Sequence, residues 1–409
     1  MQARIWMAFV ACFVAGRGFA QSEPPRIADL VAANSHPFAY TSTALSGPGA
    51  DLILGALDGV QFVLLGEDHM DHATPVFAGA LFRTLHDRLG FRHLVVEQDP
   101  VAIVAALGPD VRGRPERLAA LAKRYPSLFE FDSDEDLTVL ADVSALVPGP
   151  DAIWGVEQAT GAPRYLEELV ALAPTPAARD RAEDVLEASR AADPGPRYSV
   201  NWLASSTAPG EIAELVSLYA AEPGSRAHRL LADLAKSSEI FGYYRRAEAG
   251  EFVGLYNNTV REAVLKENFL ERYRAVAGRS VAPKAMFKFG ANHLYHGKNP
   301  TQAFPIGNLA HELAIVNGSS AFGLYVIPLG EGYRTLAECP AWLRSLLPAT
   351  GPDVPTLVDL RALRPYQRLF REAVDPADVW EQRVLLHGYE AIVLLPDSRP
   401  ATRKLGGRE

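Results

Sequence analysis

The stretch Gln61-Phe62-Val63-Leu64-Leu65-Gly66-Glu67-Asp68-His69 decides the fold. Its first five residues form a short apolar run, and Gly66 ends that run on ionisable residues. Such a run, bounded by a turn residue, reads as a buried strand. A second run, His93-Leu94-Val95-Val96, ends the same way on Glu97. Between them Phe77, Ala80, Leu81, Leu85 and Leu89 recur at helical spacing, and Gly90 closes the helix. Residues 61–97 therefore form a strand–helix–strand unit, and a crossover of that kind joins parallel strands.

Four further runs have the same character: Ala152–Val156, Ala285–Phe289, Gly323–Ile327 and Ala391–Leu395. Residues of about 102–148 and 162–278 instead carry helical spacing, with breaks such as Asp193-Pro194-Gly195-Pro196. The expected class is α/β: a central, mostly parallel sheet flanked by helices, with a large helical insertion. No internal repeat or low-complexity tract interrupts it.

The composition fits a globular chain. Of 409 residues, 48% are hydrophobic and 22% charged, with 40 Lys and Arg against 49 Asp and Glu. At the N-terminus, Arg4 is followed by an apolar run from Ile5 to Gly16 and by Gly18-Phe19-Ala20. That pattern is expected to be a signal peptide cleaved after Ala20, which makes the mature protein periplasmic or secreted. The run is shorter than the roughly 20 residues of a membrane span. Cleavage would leave 38 basic residues against 49 acidic ones, a net charge of −11. No nucleic acid and no membrane surface is then an expected partner; a small-molecule substrate is, and the oligomeric state is not encoded in any motif. Cys12 would depart with the leader and leave Cys339 alone, so neither an internal disulfide nor a cysteine-ligated metal is expected. The expected layout is a leader over 1–20, one domain over 21–400 and a flexible tail over 401–409.

In open α/β sheets the ligand crevice lies beyond the carboxyl ends of the strands. Here those ends carry Glu67, His69 and His72, then Glu97, then Glu157, then Asn292 and His293 with His296 beyond. One acid after a strand is commonly a solvated loop residue. Four strands that each end in Glu or His exceed what solubility requires. Such a set suits general acid–base chemistry, in which His69 or His293 takes a proton from water and Glu67 and Glu97 fix the imidazole. It equally suits a divalent metal of the Mn or Zn kind on Glu67, His69, Glu97 and His293. Spacing leaves both open. On Val260–Asn268, Arg261 and Asn268 fall on one helix face; Arg261 could serve a developing or carboxylate charge, and Asn268 could hydrogen-bond within the site. No Gly-x-Ser-x-Gly elbow, His-Glu-x-x-His helix, phosphate loop or dinucleotide fingerprint is present, which sets aside acyl-enzyme serine hydrolases and P-loop enzymes.

These motifs resemble the erythromycin esterase-like superfamily, which takes in ChaN-like haem-binding proteins and is related in its first motif to Tiki-type metalloproteases. The resemblance rests on Leu65-Gly66-Glu67-Asp68-His69, on Leu89-Gly90-Phe91-Arg92 leading to Val95-Val96-Glu97, on Arg261-Glu262 with Glu267-Asn268, and on Phe289-Gly290-Ala291-Asn292-His293. It runs in order through most of residues 55–395. It implies a metal-independent hydrolase with His69 as base, Glu67 and Glu97 as its partners, and Arg261 and His293 as further essential groups. His72, Glu157, Asn268, Glu262 and Asn292 are expected in supporting or substrate-binding positions, and no cofactor is expected. Three departures stand out: only Asp68 separates Glu67 from His69 where erythromycin esterases have two residues, Met70 replaces a glycine, and Glu157 replaces an aspartate. The expected function is an exported hydrolase cleaving an ester or related bond. The alternatives are a metal-dependent hydrolase on the same cluster and a non-catalytic periplasmic binder of haem or another small ligand.

Overall fold

A computed structural model describes residues 24–192, 201–253, 255–278 and 282–405. The expected leader, the Asp193-Pro194-Gly195-Pro196 break and the last four residues lie outside them. Eight strands build the main sheet: β1 Ser35–Pro37, β2 Val60–Glu67, β3 His93–Val96, β4 Ile153–Gly155, β5 Ala285–Gly290, β6 Ser320–Pro328, β7 Thr356–Asp359 and β8 Ala391–Leu395. Their spatial order is β1-β7-β8-β6-β2-β5-β3-β4. The six strands from β8 to β4 all pair in parallel, and these are the six apolar runs of the sequence.

The antiparallel edge, in which β7 pairs with β8 and β1 with β7, was not expected. Neither strand announces itself. Ser35-His36-Pro37 has no apolar run, and Thr356-Leu357-Val358-Asp359 is half polar, so their pairing is set by the edge they cover.

The central strands are apolar on consecutive residues because both faces are covered. Val63, Leu65, Leu94, Val96, Ile153 and Met286 pack into one core layer with Phe77, Leu81 and Leu85 of helix α1, Ala73–Leu89. Phe62, Leu64, Val95, Trp154, Phe287 and Phe289 point into the opposite layer.

The helical insertion comes in two parts. Between β3 and β4 run α2 Pro100–Ala106, α3 Pro115–Arg124 and α4 Asp134–Leu146. Between β4 and β5 run α5 Pro163–Leu172, α6 Pro176–Ala191, α7 Ala208–Tyr219, α8 Arg226–Glu248 and α9 Tyr256–Ala277. Helices α5 to α8 pack around Tyr165, Leu166, Val185, Leu215, Leu230 and Leu234, an apolar cluster apart from the two sheet layers. Among the described residues, no helix is long and apolar enough to cross a membrane.

Residues 401–405, expected to begin a frayed tail, are tied down as far as they are described. The Thr402 amide and hydroxyl both donate to Glu135, and the amides of Lys404 and Leu405 donate to Asp134. The two acids at the start of α4 give this segment its partners, a pairing that local sequence does not advertise.

Candidate active site

The strand order places four site-bearing ends side by side. Gly66 and Glu67 of β2 lie against Phe289 and Gly290 of β5; Val96 lies against Lys288 of β5 on one side and Gly155 of β4 on the other. Side chains that leave these ends share one mouth. The chain after β2 turns at Met70, whose φ of 72° is left-handed, a conformation that favours glycine. The turn is fixed by Asp71, which accepts from the Thr74 amide at 2.8 Å and from the Ser398 hydroxyl at 3.0 Å, and by an ion pair between Asp68 and Arg334. Burial drives the Asp71 carboxyl up to about 6 in spite of those hydrogen bonds.

His69 projects from this turn. Its Nδ1 lies 3.1 Å from Glu67 Oε1. A carboxylate only accepts, so Nδ1 is the donor to Glu67. Nε2 stands 3.8 Å from Glu97 Oε2, and the ring stacks on Phe131 with centroids 4.3 Å apart. Gly290 makes this approach feasible. A Cβ there would fall 2.5 Å from His69 Nε2, which explains why β5 must end in glycine.

Glu97 is the hub of the cluster. Its Oε2 accepts from the Gly290 amide at 2.7 Å, and its Oε1 accepts from Arg261 Nη2 at 2.7 Å. His293 Nε2 lies 3.4 Å from the same Oε1. Burial by itself would raise the Glu97 carboxyl, but His293, His69 and Arg261 hold it down at about 2. Arg261 reaches from α9 and is forked onto Glu157, with Nε at 2.9 Å and Nη2 at 2.5 Å. Its charge survives burial because Glu157 and Glu97 flank it. His293 donates from Nδ1 to Glu262 Oε1 at 2.6 Å, while Glu262 Oε2 accepts from the Ile306 amide at 2.8 Å. Against burial, which disfavours the imidazolium, Glu97 and Glu262 raise His293 above the ordinary imidazole value.

A polar cleft of about 290 Å³ opens over these groups, lined by Glu67, His69, Glu97, Arg261, Glu262 and His293 among others. Asn292 lines it too, and its carbonyl accepts from Asn299 at 2.8 Å. Three of the positions expected to support the site lie outside the cleft wall. Glu157 lies behind Arg261 as its anchor. Asn268 donates to the Val156 carbonyl at 3.0 Å and so braces the end of β4. His72 turns to Glu135 on α4 at 2.6 Å and is not part of the cleft wall. His296 stacks on His311 with centroids 4.2 Å apart.

Several contributors escaped sequence reading. Lys288 on β5 is buried against Glu67 and Asp136, and Phe131 supplies the ring under His69. Lys288 had a signal, a lone charge inside the apolar run Ala285–Phe289; Phe131 had none. Asn258, Thr301 and Tyr325 complete the cleft wall.

The residues named as a metal set, Glu67, His69, Glu97 and His293, all line this cleft. Both oxygens of Glu97 are engaged, Oε1 by Arg261 and Oε2 by the Gly290 amide. Among the described residues, no three His, Cys, Asp or Glu side chains group as metal ligands.

No protein-family model and no curated protein matches this chain. Solved structures do. One is a protein from Bacillus cereus, at 12% identity and a TM-score of 0.56 over 92% of this chain and 98% of that one. A succinoglycan biosynthesis protein matches at 12% identity and a TM-score of 0.55, also over 92% and 98%. A mutant of the erythromycin esterase EreC in its open conformation matches at 14% identity and a TM-score of 0.57, over 86% of this chain and 94% of that one. At such identities the likeness concerns architecture. The chain has an erythromycin esterase-like α/β fold.

Proposed function

We propose that this protein is an exported hydrolase in which His69 activates water to cleave an ester or a related bond of a small molecule. The observation that carries the reading is the placement of His69: Nδ1 is held by Glu67 at 3.1 Å, and the ring lies in the wall of a polar cleft. A histidine held by a carboxylate on one nitrogen is the general arrangement of a base.

The other groups fit around that role. His69 Nε2 takes a proton from water, and the water oxygen attacks the carbonyl carbon. His293, favoured as the imidazolium by Glu97 and Glu262, donates a proton to the departing oxygen. Glu97 stabilises the positive charge that His69 acquires, and Arg261 with the Gly290 amide fixes the orientation of Glu97. The fold shared with an erythromycin esterase supports the reaction class, though not the drug as substrate.

The test is a screen of esters and lactones on the mature protein, with and without a chelator, beside His69→Ala. Hydrolysis that survives chelation and drops by about two to four orders of magnitude in the variant is expected. Hydrolysis equal in the variant and the parent refutes the proposal. Activity that vanishes on chelation and returns with a divalent ion would transfer the cleft to metal chemistry, and spectral titration with haem separates a binding protein from both.

A further inference from the structure

His69 stacks on Phe131 with centroids 4.3 Å apart, yet neither ring belongs to a helix or a strand. His69 follows β2 in the turn that Met70 makes with its left-handed φ, a conformation that lasts only where its surroundings fix it. Phe131 lies in irregular chain between α3 and α4, its carbonyl accepting from Gln98 at 3.0 Å. One later segment touches both places. Pro400 makes an antiparallel bridge with Asp71, the His72 amide donates to the Arg399 carbonyl at 2.9 Å, and the Ala401 amide donates to the Met70 carbonyl at 2.9 Å. The Thr402 carbonyl then accepts from the Asp134 amide at 2.9 Å. Arg403 sends Nη2 to Met70 Sδ at 3.8 Å and sets Nε 3.2 Å from Asp132 Oδ1. Met70 and Asp132 are the residues directly after His69 and Phe131. One guanidinium thus joins the chain on either side of the stack. The side chains of Arg403 and Asp132 are 31% and 4% exposed, and a partly exposed ion pair contributes little to stability, so fold strength alone does not call for an arginine here.

The geometry points to Arg403 as a positioning residue, clasping the chain after His69 to the chain after Phe131 so that the imidazole stays on the ring and in the cleft wall. Its service to a reaction rests on His69 being the base. Arg403 and Met70 are 333 positions apart, so local geometry on neither side supplies this link. Without the guanidinium, Gln98 still holds the Phe131 carbonyl, and Arg399 and Ala401 still hold the backbone of the turn, but the direct tie between the two is lost. The stack then loosens while the fold stays. A displacement of about 1 Å in a group that must meet a reacting atom lowers turnover by as much as roughly a hundredfold. Substrate binding, which the rest of the cleft wall provides, changes less, so the loss falls on kcat rather than on KM.

The stack can be read without any substrate. In protein with protonated His and Phe rings in a deuterated background, a nuclear Overhauser contact between the rings of His69 and Phe131 is expected, assigned by its disappearance in His69→Ala and in Phe131→Leu. Arg403→Met is expected to lose that contact and, on an ester that the parent cleaves, to lower kcat by about tenfold with KM steady. Arg403→Lys, which keeps a cation for Asp132, is expected to retain both the contact and kcat. A contact that persists in folded Arg403→Met overturns the proposal. If that variant does not fold, a contact that persists in Ala401→Pro, which lacks the amide that donates to Met70, does so instead. A lost contact with unchanged kcat overturns it as well. A protein whose variants lose the contact as expected, but whose parent hydrolyses no ester, would refute the hydrolase and leave the clasp standing.

Discussion

Arg261 and Glu97 meet across 164 positions of sequence, the guanidinium Nη2 donating to the carboxylate Oε1 at 2.7 Å. One partner comes from α9 of the insertion and the other from the end of β3. The contact joins the two parts of the chain at the point where the cleft opens.

Breaking that contact from the cationic side should be costly. Glu97 and Glu157 are almost wholly buried, with side-chain exposures of 1% and 0% against Arg261. Arg261→Met leaves both uncompensated, and a loss of about 3–5 kcal/mol is expected from urea unfolding. Arg261→Lys keeps the charge but loses the fork onto Glu157, so it should fall between the two. A methionine variant as stable as the parent would show that the network does not hold this end of the sheet.

Gly290→Ala tests a steric claim. The backbone there has φ −50° and ψ 134°, which any residue adopts, so only the clash with His69 Nε2 and Glu97 matters. A stability loss of about 1–3 kcal/mol is expected in thermal unfolding, with ester hydrolysis falling as His69 is displaced. Full hydrolysis in this variant would mean that His69 works from another position.

The network also sets a pH window for stability. Glu97 is lowered from 4.5 to about 2, so its contribution is complete above 4.5 and disappears as pH falls toward 2. His293 is raised above 6.5, so its contribution is complete below 6.5 and disappears as pH climbs through its folded value. Urea unfolding across pH should show Glu97→Gln flattening the acid limb and His293→Asn flattening the alkaline one. An acid limb that Glu97→Gln leaves untouched would assign that limb to other carboxylates.

Asp99 offers a test away from the cleft. It caps α2 by accepting from the amides of Val101 and Ala102, and burial raises its carboxyl to about 7. A raised carboxyl stabilises below its unfolded value of 3.8 and loses that contribution as pH passes 7. Asp99→Asn keeps an oxygen acceptor for the cap and removes the charge. It should exceed the parent in stability above neutrality by about 1 kcal/mol or more, with the gap narrowing below pH 7; an equal gap at every pH would contradict the assignment.

Where hydrophobicity alone determines structure, the sequence is transparent. The six parallel strands announce themselves because each is buried on both faces, and their polar ends stand out against apolar text. Glu67, His69, Glu97 and His293 fall into one cleft on that basis, and Arg261 joins them from the helix face read at Val260–Asn268. The antiparallel strands Ser35–Pro37 and Thr356–Asp359 are silent, since the one has no apolar run and the other is half polar. The place of His72 could not be read, because spacing of three from His69 says nothing about the direction a turn takes; beyond the left-handed Met70 its ring meets Glu135. Phe131 was hidden because a residue that stacks on a ring from a loop has no periodic signature, and Lys288 because its charge was read as part of a strand rather than as a partner.

Strand β5 occupies a place in the sheet that its place in the chain delays. It lies between β2 and β3, yet it follows them by nearly two hundred residues of sequence. Until β5 joins the sheet, β2 and β3 each lack a partner along one edge. Such edges invite wrong pairing. The groups that line the cleft therefore come together only once β5 has taken its place between β2 and β3.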